Sequence, residues 1–211
     1  MKKIQIDDCI CHSKIKEHLN IRDSILSEID RSSDGNLEKL DSFYTDSISK
    51  LDWNLSSNPD RPWLKIFLPV FLKNLQEIII SLGYLKLNIK NVWYQQYLEG
   101  DTHGWHIHGE HFTGVYYLEF PEGCSQTEIV SPFDLKVTKI DVVEGDFVIF
   151  PAHYIHRGLP NTKKRKTIIS YNFSIDDGKN SLDLNAVKKI NPNIWHSFIS
   201  NPKTIKINYG T

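Results

Sequence analysis

Residues 100–117 read Gly-Asp-Thr-His-Gly-Trp-His-Ile-His-Gly-Glu-His-Phe-Thr-Gly-Val-Tyr-Tyr and contain four of the nine histidines in the chain. The Val-Tyr-Tyr-Leu run at 115–118 favours an extended conformation, in which residues two apart share one face. His106 and His108 would then point the same way, as two metal ligands on one strand do. A third imidazole can come from a later strand, because His156 ends the sequence Phe-Pro-Ala-His-Tyr-Ile-His. The pattern predicts a mononuclear metal site in a β-barrel.

Short strand-like runs recur on the C-terminal side of Tyr84. The first of them alternates apolar and polar residues at period two, as a half-buried strand does. Breaks rich in Gly, Pro and Asn separate the runs, which is typical of a β-sandwich or barrel. The predicted strands are 85–92, 92–98, 105–108, 114–120, 127–130, 136–143, 146–150, 155–158 and 167–174. The predicted fold class is therefore mainly β with N-terminal helices (α+β).

The sequence before Tyr84 has helical periodicity instead. Apolar residues recur at helical spacing over 13–30, and amphipathic patterns follow over 37–51 and 63–82. The last is the strongest helix, with Pro69 predicted as its kink or start and Gly83 as its end. We predict one structural domain with three regions. These are a helical region over 1–84, a β core over 85–175 and a C-terminal extension over 176–211 with a short helix at 193–199.

The composition is that of an ordinary globular protein. A net charge of −1 over 211 residues gives no overall attraction to nucleic acid or to an anionic membrane, so neither is an expected partner. No apolar run reaches the length of a signal peptide or a membrane span. Cys9, Cys11 and Cys124 form an odd set without the spacing of a disulfide framework. We therefore expect a cytoplasmic protein with one sizeable core.

The third ligand of the predicted metal site is open. A facial set of three protein ligands leaves positions of an octahedral iron free for a co-substrate and dioxygen, and one ligand is usually a carboxylate. The position two residues after His106 is instead His108. Glu110 is the carboxylate near enough in sequence to take its place, so both residues remain candidates. Asp101 is a candidate to orient a ligand imidazole through a hydrogen bond to its other ring nitrogen.

A basic run, Lys163–Lys166, precedes the last predicted strand. Arg165 at the start of that strand can form a bidentate pair with a carboxylate of a small dicarboxylic acid. Lys166 takes this position if the register differs by one residue. Inward-facing Tyr117 and Tyr97 could add hydroxyl hydrogen bonds to the same carboxylate. Together these residues form a predicted co-substrate site beside the metal.

In order and spacing, these motifs resemble the Fe(II)/2-oxoglutarate-dependent oxygenase superfamily, and in particular its members with a His-x-His pair. The resemblance covers roughly residues 92–174. It rests on Trp93–Asp101, His106-Ile-His108, Thr113–Leu118, Pro132, Glu144–Pro151, His156, Arg165 and Ser170–Asn172.

Several expectations follow from the resemblance. It implies a double-stranded β-helix (jelly-roll) core with Fe(II) bound by His106 and His156, and His108 stands at the position expected for the third ligand. It also implies that Arg165 and a tyrosine such as Tyr117 hold 2-oxoglutarate. The implied enzyme is a dioxygenase that uses O2 to hydroxylate a C–H bond of a small-molecule or peptide substrate, with release of succinate and CO2.

A cupin-like metal or small-molecule binding protein without 2-oxoglutarate turnover is the alternative. The spacing from Gly100 to the histidine pair begins like the first cupin motif, and that from Gly145 to His156 resembles the second. The glutamate expected next in the first motif is replaced by Phe112 and Thr113. The cupin reading also gives the basic residue before the last strand no required role.

The remaining histidines of this region are predicted to lie around the metal site rather than to bind the ion. His103 and His111 flank the pair as loop or substrate-pocket residues. His153 belongs to the predicted turn before His156, which it could replace as a ligand. The N-terminal helices pack on the β core in this scheme and could equally serve to form a homodimer.

Overall fold

The computed structural model describes residues 10–32, 46–82, 84, 87–175 and 207–209. Within these ranges, the helices are α1 (His18–Arg31) and α2 (Pro62–Ser81), and a short 3-10 helix spans Trp53–Leu55. The strands are β1 (Cys11–Lys14), β2 (Lys50–Leu51), β3 (Leu87–Tyr97), β4 (His103–His106), β5 (Phe112–Glu119), β6 (Thr127–Val130), β7 (Val137–Lys139), β8 (Asp146–Pro151), β9 (His156–Gly158), β10 (Lys166–Ile175) and β11 (Ile207–Tyr209). Neither helix in these ranges is long and apolar enough to span a membrane.

The described strands form two sheets. The larger sheet has the strand order β1-β8-β5-β10-β3-β11, and β2 pairs with β3. Its pairs are antiparallel except for β11 with β3. The smaller sheet has the order β4-β9-β6-β7 and is antiparallel throughout. The architecture is therefore mainly β with two helices and antiparallel sheets, and the predicted fold class is confirmed at this level.

Two hydrophobic cores lie on the opposite faces of the larger sheet. On one face, Phe67 of α2 stacks on Tyr116 of β5 with ring centroids 5.3 Å apart. On the other face, the next residue, Tyr117, packs in one cluster with Ile129 of the smaller sheet. Because both faces are covered, β5 is buried without interruption from Thr113 to Leu118. Alternation along each central strand thus decides whether a side chain meets the helices or the space between the sheets.

Helix α2 forms where the apolar periodicity predicts it. Pro62 occupies its first turn, where the missing N–H costs no hydrogen bond. Every third or fourth side chain then faces the larger sheet and is fully buried, as for Leu64, Phe67, Phe71, Leu75 and Ile79. Pro69 lies inside the helix on its exposed side, rather than at its start.

The described part of the predicted helix over 37–51 is extended, and that part of the prediction is wrong. Residues 33–45 lie outside the described residues. Ser47 exchanges two backbone hydrogen bonds with Thr102, and β2 then pairs with β3. These inter-strand bonds take the N–H groups that a helix would use internally. As a result, Ile48 is buried in the core between the sheets.

Several element boundaries also differ from the predicted ones. The predicted strands over 85–92 and 92–98 form the single strand β3, and β7 is shorter than the predicted 136–143. Strand β4 ends at His106, so the segment with the second histidine of the pair continues beyond the strand. Strand β2 comes from a segment predicted as helical, and β1 begins before residue 13, where the predicted helical periodicity starts. Both strands join the larger sheet. The predicted C-terminal helix at 193–199 lies outside the described residues.

A buried ion pair anchors the chain between β2 and α2. Arg61 Nη1 donates to Asp52 Oδ2 over 2.6 Å, and Trp63 Nε1 donates to the same oxygen over 2.9 Å. The backbone N–H of Tyr94 donates to Asp52 Oδ1 over 2.8 Å. Burial raises the pKa of Asp52, and the neighbouring guanidinium opposes that shift. The pair ties the start of α2 to the middle of β3.

The substitution Asp52→Ala is expected to lower the free energy of unfolding by about 3–5 kcal/mol, because it leaves the Arg61 charge buried without its partner. Urea denaturation of the two proteins measures the difference. The control is Asp60→Ala, which breaks the exposed pair with Lys65 and is expected to cost at most about 1 kcal/mol. Equal losses in the two variants would contradict the prediction.

Candidate metal centre

Three imidazoles converge between the two sheets. His106 is the last residue of β4 and pairs directly with His156, the first residue of β9. His108 follows two residues beyond β4, where its backbone N–H donates to Ala152 O over 2.9 Å. The potential ligand atoms of the three side chains all lie within 4.8 Å of one another. We call these three residues the histidine triad.

Backbone carbonyls fix the orientation of two of the three rings. His106 Nδ1 lies 2.7 Å from Gly104 O, and His156 Nδ1 lies 2.8 Å from Tyr154 O. A carbonyl only accepts hydrogen bonds, so the proton of each ring is on Nδ1. The lone pair on Nε2 of both residues is then free for a metal ion, which is the usual arrangement of histidine ligands.

The surroundings of the triad keep its imidazoles neutral. Burial lowers the pKa of His106 despite the bond to Gly104. Burial followed by repulsion from His106 lowers the pKa of His108 to about 4. The same two causes, helped by His108, lower the pKa of His156 to about 3. At neutral pH all three rings are therefore in the form that can bind a metal ion.

The other predicted candidates lie around the triad. Among the described residues, the triad is the set of at least three His, Cys, Asp or Glu side chains grouped closely enough for one ion, and Glu110 is not in it. His111 is exposed, and its Nδ1 accepts a hydrogen bond from the Ile175 N–H over 3.1 Å. His153 is exposed and its ring contacts Tyr154. The structure thus brings His108, and not Glu110, to the other two candidate ligands.

His103 is a fourth histidine at the site. Its ring stacks on His106 with centroids 3.8 Å apart, and Gln95 Nε2 donates to its Nδ1 over 3.3 Å. Burial, followed by the nearby triad imidazoles, lowers the pKa of His103 to about 2. His103 is therefore a neutral imidazole beside the triad. It lies in β4 rather than in a loop, and its assignment to a substrate pocket stays a prediction.

Asp101 has a different role from the predicted one. Its carboxylate accepts hydrogen bonds from Ser47 Oγ over 2.8 Å, from both N–H and O–H of Ser49, and from the Leu98 N–H over 2.8 Å. These bonds hold the extended segment at 47–49 against the turn after β3. Backbone carbonyls orient the rings of His106 and His156 instead.

A narrow inner cavity extends from the triad between the sheets. Tyr97, Tyr117, Thr127 and Lys166 are among its lining residues. Tyr117 Oη donates to Thr127 Oγ1 over 2.9 Å. Burial raises the pKa of both tyrosines, so both stay protonated.

Lys166 is a buried cation in this cavity. It is 3% exposed, its Nζ donates to Ser125 O over 3.1 Å, and it lies 4.3 Å from the centroid of the Tyr97 ring. Among the described residues, no carboxylate forms an ion pair with it. Burial lowers its pKa to about 8, which still leaves it mostly protonated at neutral pH. A buried ammonium without a counter-ion favours an anionic ligand.

Arg165 does not reach this cavity. Its Nε and Nη2 donate to the carboxylate of Glu119 over 2.8 and 3.1 Å, and its Nη1 donates to Asp30 of α1 over 3.0 Å. The reason is alternation, since Arg165 and Thr167 face the helices while Lys166 faces the space between the sheets. Of the two predicted candidates for the carboxylate contact, Lys166 lines this cavity and Arg165 does not.

An outer pocket of about 230 Å3 also opens at the triad. Its wall contains Ile48, Leu51, Trp53 and Trp93 together with Gln95 and three histidines. The rings of Trp53 and Trp93 meet edge to face with centroids 4.6 Å apart. The first three of these residues were not predicted, because they lie in or next to the segment expected to be helical. Only the pairing of Ser47 with Thr102 brings them here.

No family model and no curated protein matches the sequence. Solved structures do match the fold. A Pseudomonas putida prolyl-4-hydroxylase is 15% identical over 80% of this chain and 94% of its own, with a TM-score of 0.58. A Trichoplax adhaerens prolyl hydroxylase, in complex with a peptide fragment of the hypoxia inducible factor oxygen degradation domain, is 19% identical over 82% and 86%, with a TM-score of 0.57.

A third structure is similar to the same extent. The viral collagen prolyl hydroxylase of Paramecium Bursaria Chlorella virus-1, in its 2OG complex, is 19% identical over 77% of this chain and 94% of its own, with a TM-score of 0.55. The chain therefore shares the fold of these prolyl hydroxylases.

Proposed function

We propose that this chain is an Fe(II)- and 2-oxoglutarate-dependent oxygenase with a double-stranded β-helix core. It would hydroxylate a C–H bond of an unidentified small-molecule or peptide substrate, with release of succinate and CO2. One observation carries the proposal. The histidine triad lies where an inner cavity with a buried, unpaired ammonium meets an outer apolar pocket. With this arrangement, a metal ion, an anionic co-substrate and a substrate could bind next to one another.

The donor set of the triad fits a divalent first-row transition metal. Neutral imidazole is a good ligand for iron and its neighbours in the row, and three protein ligands leave positions open for other molecules. His106, His108 and His156 would hold the ion. Three neutral ligands leave the full charge of +2 on the site, whereas a carboxylate ligand would reduce it. This charge favours a dianionic co-substrate such as 2-oxoglutarate.

The inner cavity fits one end of that co-substrate in its chemistry. Lys166 would pair with the distal carboxylate, and the Tyr117 and Thr127 hydroxyls would lie beside it. The cavity is narrow, and the flexible stem of Lys166 is the part of its wall best able to move on binding.

Dioxygen, together with iron and 2-oxoglutarate, would supply the oxidation of the C–H bond. The chain's own residues orient and enclose the reactants. Trp53 and Trp93 would exclude water from the outer pocket and position an apolar part of the substrate near the triad. The peptide bound to the Trichoplax adhaerens enzyme makes a peptide one of the two substrate classes to examine.

Anaerobic titration of the protein with Fe(II), with and without 2-oxoglutarate, tests the proposal. We expect a weak visible charge-transfer band that appears only when both are present, because it requires the co-substrate to chelate the iron. The His156→Ala variant is the control and should show no band. Iron-loaded protein without the band would instead favour a cupin-like metal-binding protein.

A further inference from the structure

The third histidine of the triad lacks the backbone contact that orients the other two. His108 lies beyond the end of β4, and its Nδ1 faces a side chain, Asn172 of β10. The distance from His108 Nδ1 to Asn172 Nδ2 is 3.4 Å. The asparagine is 2% exposed, and its Oδ1 is buried without a hydrogen-bond partner among the described residues. The amide that contacts the His108 ring therefore carries a buried oxygen without a hydrogen-bond partner in the described part of the chain.

The two ends of an amide have nearly the same shape, so its orientation is decided by hydrogen bonding. With Nδ2 toward the ring, His108 Nδ1 must accept, and the ring proton is then on Nε2. A half-turn of the amide places Oδ1 at the ring instead. The oxygen then accepts from Nδ1–H, and the Nε2 lone pair becomes free, as it is in His106 and His156.

We propose that Asn172 is the positioning residue of His108, with its Oδ1 accepting the Nδ1–H of the ring. This inference rests on the proposed metal site and gives the third ligand the support that Gly104 O and Tyr154 O give the others. Such outer partners fix the tautomer and the direction of a ligand ring.

The position of Asn172 suits this role. Its backbone is paired on both sides, with Asn91 of β3 and Thr113 of β5, so the side chain projects from the rigid centre of the larger sheet. The ring of Trp93 lies 5.9 Å from the His108 ring and limits its movement from another direction. His108 is thus held by its backbone bond to Ala152, by the indole and by the amide.

Titration of the protein and its variants with Co(II), followed by absorption of the bound ion, tests the inference. Asn172→Ala is expected to weaken binding about 10- to 100-fold. Asn172→Asp is expected to restore at least the wild-type affinity, because a carboxylate can only accept from the ring. The control is Asn74→Ala, which removes another buried asparagine, bonded to Val70 O on α2, and which should leave Co(II) affinity unchanged.

The outcomes separate the inference from the proposed function. If the wild type binds no Co(II), or if His108→Ala binds as well as wild type, the metal site itself is wrong. If the wild type binds and Asn172→Ala does so within about twofold, the positioning role is wrong. Failure of Asn172→Asp to restore the affinity would also overturn it.

A second measurement does not depend on how well the variants fold. The ¹⁵N imidazole spectrum of the metal-free wild-type protein reports which ring nitrogen of His108 carries the proton. We expect Nδ1. A proton on Nε2 would mean that the amide donates to the ring, and would overturn the inference.

Discussion

His108→Ala is expected to lower the affinity of the protein for Fe(II) by more than the roughly 100-fold that loss of an outer partner can cost. The variant removes one of three ligand atoms that lie within 4.8 Å of one another. The two remaining imidazoles would then leave the ion bound mainly by water. Anaerobic calorimetric titration measures the change, and thermal unfolding of the metal-free variant checks that the fold survives.

Glu110→Ala is the matched control for this prediction. Glu110 is the carboxylate that the sequence leaves open as third ligand, but it is outside the group of three that could hold one ion. Its removal should change Fe(II) affinity by no more than about twofold, the usual effect of a substitution away from the site. A large loss in Glu110→Ala with little loss in His108→Ala would reverse the assignment.

Lys166→Met is expected to weaken binding of 2-oxoglutarate to the iron-loaded protein about 10- to 100-fold, since a hydrogen bond to a charged group contributes about 1.5–3 kcal/mol. Methionine keeps the apolar stem and removes the buried ammonium. The visible charge-transfer band, titrated with 2-oxoglutarate, measures the affinity.

Arg165→Met is the control for that experiment, because Arg165 pairs with Glu119 and Asp30 on the helix-facing side of the sheet. It should leave the affinity for 2-oxoglutarate within about threefold of wild type while lowering stability, because it breaks a partly exposed ion-pair network. If Arg165→Met loses the co-substrate and Lys166→Met retains it, the assignment to Lys166 is wrong.

The sequence was informative wherever local periodicity and spacing carry the signal. Strand β6 lies at the predicted residues, and β8 extends one residue beyond its prediction. The predicted candidates His106, His108 and His156 lie together because β4 and β9 pair in register at the first and last of them. Period-two alternation depends on neighbouring residues alone, so it can be read without the tertiary structure.

The sequence was less informative where the structure depends on which face of a strand a residue occupies, or on contacts between residues that are distant in sequence. Strand β10 is buried on both sides, so its residues alone do not tell whether Arg165 or Lys166 faces the space between the sheets. The segment with Ile48 looks amphipathic, yet its pairing with Thr102 and the bonds to Asp101 override that local preference. The unpaired charge of Lys166 is likewise visible only once its surroundings are known.

Strand β10 carries residues from both ends of the proposed site. Lys166, Ile168 and Ser170 line the inner cavity, and Asn172 contacts the triad. At about 3.3 Å per residue, the covalent chain itself sets the spacing between the anion end and the metal end. A one-residue insertion within the strand would exchange this face for the one that meets the helices. The length of the strand therefore fixes the distance between the proposed anion-binding end and the metal-binding end of the site.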